Sequence, residues 1–134
     1  MRGDRNADIL RHIRNYCEEI NHTIDTFGRD YEIFVGNSIY QNAVALCVLQ
    51  IGELTTHFTD DFKNTYNKIP WNQIKALRNV VAHNYGGIDK ETLWETLNQD
   101  IPELQEYCEQ IMLQYETLLQ ECDVETQEGL KMEI

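Results

Sequence analysis

Residues 42–54 read NAVALCVLQIGEL, and only Asn42, Gln50, Gly52 and Glu53 interrupt the apolar run. The stretch has no period-two alternation, so it reads as helix rather than strand. A helix apolar nearly all round belongs at the centre of a fold. The spacing predicts it over about Ser38 to Thr56, as the most buried element of the chain.

Working outward, the N-terminal side predicts a helix from about Asp4 to Phe27. Ile9, Ile13, Tyr16, Cys17, Ile20, Ile24 and Phe27 form one stripe at three- and four-residue steps. Gly28 is a natural stop. RDYEIFVGNSIY, residues 29–40, reads as a short helix or turn. On the C-terminal side Thr59 caps a short helix with Asp60 and Asp61 at its positive end. Pro70 suits the first position of a helix running to about His83 and stopping near Gly86-Gly87. Asp89 caps a helix carrying Leu93, Trp94 and Leu97; Pro102 then breaks, kinks or restarts the chain. Leu104, Cys108, Ile111, Met112, Tyr115, Leu118 and Leu119 give the last helix its stripe. The expected fold class is all-α, an antiparallel bundle of four to five helices. It forms one domain over residues 1–122, followed by an acidic, frayed tail at 123–134.

Composition bounds the function classes. The chain has 134 residues, 42% of them apolar, which suffices for one core. No apolar run approaches the roughly 18–20 residues of a membrane span, and the N-terminal MRGDRNADIL has no signal-like apolar stretch. A cytoplasmic location without membrane contact is expected. Cys17, Cys47, Cys108 and Cys122 form no CxxC pair and read as buried or half-buried free thiols rather than zinc ligands. His12, His22 and His57 read as surface or boundary residues, although HFTDD at 57–61 has the composition of a metal cluster. Neither a metal nor another cofactor is expected.

Charge is unevenly placed. The net charge is −12, which disfavours loose, non-specific nucleic-acid binding. Residues 62–88 nevertheless carry Lys63, Lys68, Lys75 and Arg78 and no acid. Residues 89–134 carry thirteen acids against two bases. A focused positive site can still attract a phosphate in such a chain.

That positive segment contains RNVVAHNY, residues 78–85. Arg78 and His83 are five apart, about 140° on an ideal helix, so they are not stacked neighbours. The helix is due to end at His83, which leaves the imidazole free to turn. Asn79, four residues before His83, can orient its ring. A histidine can move a proton at neutral pH, and an arginine can hold a phosphate bidentately. Together they suit phosphodiester cleavage in RNA, where the 2′-OH supplies the nucleophile. A single Arg–His pair is thin for full acid–base chemistry, and a symmetric dimer would double it. Against this, Arg and His at a helix C-terminus also complement the helix dipole with no further role.

RNVVAHNY resembles the Arg-x4-His-x-Tyr motif of the HepT-like branch of the HEPN superfamily. IPWNQIKALRN (69–79), IGEL (51–54) and GIDKETLWETLNQDIPELQ (87–105) resemble the surroundings of that motif, in the same order. The resemblance spans about residues 5–120. It implies a dimeric bundle of HEPN type and a metal-independent endoribonuclease toxin acting on RNA such as tRNA or mRNA. By position, Arg78 and His83 would be catalytic, in a cleft shared by the homodimer. Tyr85 would receive AMP from an MntA-like nucleotidyltransferase antitoxin and so silence the toxin. Asn79 would help orient the site. Glu53, a charge inside an apolar helix, either points to solvent or caps a buried network, or orients the site by pairing with Arg78. The alternative is a non-catalytic partner or substrate-binding subunit of a nucleotidyltransferase. The acidic C-terminal segment is expected to lie away from the cleft or to screen it.

Overall fold

The computed structural model describes residues 5–71, 74 and 89–115. Helix α1 spans Arg5–Phe27 and buries Ile9, Leu10, Ile13, Cys17, Ile20 and Ile24. Leu10, absent from the expected stripe, is fully buried, while Tyr16 and Phe27 are only half-buried. The helix stops where expected. Gly28 takes φ 111°, and its N–H donates to the Ile24 carbonyl at 2.7 Å. A side chain there would be strained by that φ, and its Cβ would also crowd Ile33 Cδ1 at 3.3 Å.

The ambiguous 29–40 stretch resolves into two caps. Asp30 accepts from the Glu32 N–H at 2.8 Å and opens α2, Tyr31–Val35. Asn37 accepts from the Ile39 and Tyr40 N–H groups at 3.0 and 3.1 Å and opens α3, Ser38–Thr55. Gln41 Nε2 donates to the Phe34 and Val35 carbonyls at 2.8 and 3.1 Å. The carbonyls left over at the end of α2 are thereby satisfied. Tyr40 Oη donates to the Gly28 carbonyl at 3.0 Å, and its ring stacks on Phe27 and meets Phe34 edge-on. The α1–α2–α3 corner is thus closed by hydrogen bonds and rings together.

Helix α3 packs on α1 through Tyr40, Val44, Val48 and Ile51, all fully buried. Among the described helices it buries the largest share of its residues, as expected, yet one face is turned outward. Ile39 is 69% and Leu46 55% exposed, and Ala43 beside them is exposed too. Composition shows that both sides of a helix are apolar; it does not show that the same chain covers both.

Helix α4, Asp60–Thr65, is capped by Thr59, whose Oγ1 accepts from the Phe62 N–H at 3.2 Å. Asn6 ties this cap to α1, donating to Thr59 Oγ1 at 3.1 Å and accepting from its N–H at 3.2 Å. Helix α5, Lys90–Glu95, passes into a π-helical turn at Thr96–Asp100 and then into α6, helical at residues 101–115. Pro102 therefore neither stops the helix nor starts one. A proline there cannot donate to the Asn98 carbonyl and would press on it in a regular α-helix. The preceding turn is widened instead, with the Ile101 N–H reaching back five residues to the Thr96 carbonyl. The Asn98 side chain is held at this turn, Nδ2 donating to the Trp94 carbonyl at 2.8 Å and Oδ1 accepting from Arg29.

Leu93, Leu97, Ile101, Leu104, Cys108 and Ile111 join α1 and α3 in one core. No strand occurs among the described residues, and the molecule is an all-α bundle. No helix among them is long and apolar enough to cross a membrane. No buried polar side-chain atom among them lacks a partner.

Candidate functional site

Arg78, Asn79, His83 and Tyr85 lie outside the described residues, as do Cys122 and the 123–134 tail with the domain boundary before it. What the structure shows is the frame on either side of the motif. On the N-terminal side Trp71 and Ile74 are helical and 5% and 8% exposed. The Ile74 N–H donates to the Pro70 carbonyl at 3.2 Å, so Pro70 stands at the start of that helix. The Trp71 indole N–H donates to the Tyr66 carbonyl at 2.6 Å. Its ring lies 5.1 Å from Phe58, 6.0 Å from Phe62 and 6.1 Å from Tyr107. Tyr107 adds a second clamp, its Oη accepting from the Lys68 N–H at 3.2 Å. The rings of Phe58, Phe62 and Tyr107 therefore hold Trp71 at the N-terminal edge of the motif segment. Sequence reading missed Tyr107 here; its spacing from Leu104 and Ile111 signals the core face of α6, but not the hydrogen bond.

On the C-terminal side Asp89 accepts from the Thr92 N–H at 3.1 Å and from its hydroxyl at 2.8 Å. The Thr92 N–H, then the hydroxyl, hold the Asp89 carboxyl below its ordinary pKa. Leu93, fully buried, anchors the helix that this cap starts. The motif segment is thus tied to the core at both ends.

Glu53 lies on the exposed side of the last turn of α3. Its carbonyl accepts from the Thr56 N–H and Oγ1 at 3.1 and 2.7 Å. Its expected partner Arg78 falls outside the described residues. His12, His22 and His57 are exposed, and no group of three or more potential metal ligands occurs among the described residues. Cys17, Cys47 and Cys108 are buried free thiols, as expected.

Two clefts flank the first turn of the motif helix. One, about 590 Å³, runs between Lys68, Pro70 and Ile74 on one wall and Asp100, Glu103 and Glu106 on the other. Loss of solvent, then the Glu103 charge, raises the Asp100 pKa. Asp100, Glu103 and Glu106 of the acidic C-terminal segment thus face Lys68, Pro70 and Ile74. Three carboxylates facing one lysine repel a phosphate. The second cleft, about 520 Å³, is lined by Lys63, Asn64, Asn67 and Trp71 together with Asp60. Its amide donors and lysine make it the better neighbour for a polyanion.

The sequence from Leu10 to Ile111 matches the model of the Ribonuclease HepT-like family. The chain belongs to that family. The match contains both anchors of the motif segment, the clefts and the RNVVAHNY stretch itself. A protein of Methanocaldococcus jannaschii named as a candidate RNase is 34% identical over 105 residues, covering 78% of this chain and 88% of that one. Another from the same organism, named likewise, is 30% identical over 103 residues and is covered over 94% of its length. A protein of Thermococcus cleftensis named "Probable ribonuclease HepT" is 33% identical over 101 residues, covering 72% of this chain and 92% of that one. No solved structure matches the chain significantly. The HepT-like family places the chain in the ribonuclease class of enzymes.

Proposed function

We propose that this chain is a metal-independent endoribonuclease toxin whose site is the Arg78/His83 pair of two copies meeting in a homodimer. The observation that carries the reading is the family match over residues 10–111, within which Arg78-x4-His83-x-Tyr85 stands complete. The chemistry is balanced by these residues. The His83 imidazole takes the proton of a 2′-OH, and the 2′-oxygen attacks the neighbouring phosphorus. The bond to the 5′-oxygen breaks, and that oxygen takes a proton from the imidazolium of His83 in the second copy. The products are a 2′,3′-cyclic phosphate and a 5′-hydroxyl. Arg78 neutralises the charge that builds on the phosphoryl oxygens, and Asn79 and Glu53 keep the pair oriented.

Tyr85 is the regulatory handle in this proposal. A nucleotidyltransferase antitoxin of MntA type directs the phenol oxygen onto the α-phosphorus of ATP, with loss of pyrophosphate and of the phenol proton. The bound AMP sets an anion two residues from His83, where it competes with RNA phosphate for Arg78. The toxin reading is tested by expressing wild type and His83→Ala in cells that lack the antitoxin. Wild type should arrest growth and fragment RNA, and His83→Ala should do neither. Intact RNA and normal growth with the wild type would leave the chain a non-catalytic partner of the nucleotidyltransferase. Tyr85→Phe should cleave RNA but resist silencing. A wild type that gains no AMP mass from such a partner and ATP removes the silencing step.

A further inference from the structure

We propose that the cleft between α4 and residues 69–71 is a subsite for one unpaired base of an RNA strand, and that it favours bases carrying an exocyclic amine. The cleft holds about 520 Å³. Asp60, Lys63, Asn64 and Asn67 give it polar edges, and Ile69, Pro70 and Trp71 give it an apolar floor. A few polar groups over an apolar floor, in about 300–1,000 Å³, is the usual build of a small-ligand site. Asp60, Asn64 and Asn67 are exposed and Lys63 is half-buried. Among the described residues none of these four side chains takes a hydrogen bond or an ion pair, so their donors and acceptors are open to a ligand.

The chemistry of the walls selects the ligand. Each asparagine carboxamide offers a donor beside an acceptor, which matches the ring nitrogen and amine that adenine presents together. The Asp60 carboxylate only accepts, so it suits the amine of adenine or cytosine. Uracil puts a carbonyl where that amine would be, and the carboxylate repels it. Lys63 can hold a phosphate of the same strand, and the base face can lie on Ile69 and Pro70. The neighbouring cleft shares Ile69 and Pro70 but carries Asp100, Glu103 and Glu106. A strand crossing residues 69–70 is thus turned toward Lys63 and away from those acids. Pro70 stands eight residues before Arg78. With the helix expected from the sequence that is about 12 Å, the span of a few nucleotides. The base held in the cleft then decides which phosphate reaches Arg78. That role rests on the ribonuclease proposal, but base binding is measured without cleavage, so either can fail without the other.

The test is fluorescence anisotropy of the full chain with short labelled 2′-O-methyl oligonucleotides, which lack the 2′-hydroxyl nucleophile and stay uncut. A strand of mixed A and C should bind at least about tenfold more tightly than a strand of U alone. Asn64→Ala combined with Asn67→Ala should reduce that preference to within about twofold. The helical circular dichroism spectrum should not change, because both side chains are exposed. Lys63→Gln should weaken both strands alike and flatten the log–log salt dependence by about 0.7. Amide exchange over residues 60–71 should slow when the A/C strand is added. Equal affinity for the two strands, binding of neither, a preference that survives the double variant, or slowing over residues 100–110 instead, overturns the subsite. RNA fragmentation by the wild type without base preference would leave the ribonuclease reading standing and the subsite overturned. Base-selective binding by a chain that leaves cellular RNA intact would do the reverse.

Discussion

Cys17, Cys47 and Cys108 show how far a single residue's behaviour is set by its surroundings. Burial pushes the Cys17 and Cys47 thiols up to about 12 and raises Cys108 further. Glu19 adds to the effect at Cys47, its carboxylate accepting a hydrogen bond from the thiol at 3.5 Å. Thiolate is the reactive form, so these three should resist maleimide at neutral pH in the folded chain and label completely in urea. The same shifts set a direction for alkaline stability. Above about pH 9 the unfolded chain releases thiol protons that the folded chain retains, so stability should fall as pH rises further, as read by urea midpoints. The sequence showed the thiols as free and buried because they sit on apolar stripes. It did not show the Glu19 contact, which depends on how α1 and α3 turn toward each other.

Helix ends were the most legible elements, because a cap is a local bargain between one side chain and the next two or three N–H groups. Thr59, Gly28 and Asp89 each act where the sequence put them. Thr59→Ala should cost about 1 kcal/mol in urea unfolding, somewhat more if the Asn6 tie is lost with it. Asp89 adds a pH signature. Its carboxyl is depressed in the folded state, so its contribution is present above the ordinary carboxylate range and disappears as pH falls through the lowered value. The difference in urea midpoint between wild type and Asp89→Asn should therefore shrink between pH 6 and pH 3 on the scale of roughly one carboxylate titration. Helix α3 is the most buried element, as its composition predicts; that one of its faces is turned outward was not legible, because periodicity cannot show whether the same chain covers both sides.

For the whole molecule, one core binds α1, α3, α5 and α6, so a cavity opened anywhere in it should be felt globally. Leu104→Ala, at a fully buried position, should cost about 2–5 kcal/mol by the shift in urea midpoint. The bundle and its core were readable from three- and four-residue spacing. The clamp around Trp71 was not, since Phe58, Phe62 and Tyr107 meet it only through tertiary packing. Nor was the π turn. Leu93, Leu97, Ile101, Leu104, Cys108 and Ile111 are spaced by four, four, three, four and three, which is the rhythm of a regular α-helix. The core stripe therefore carries no sign of the wide turn, and its one local cause is Pro102, which cannot donate to the Asn98 carbonyl. The turn is thus a feature that one codon can switch: Pro102→Ala should let the chain tighten into an uninterrupted α-helix, and amide exchange at Ile101 should slow as the regular ladder forms.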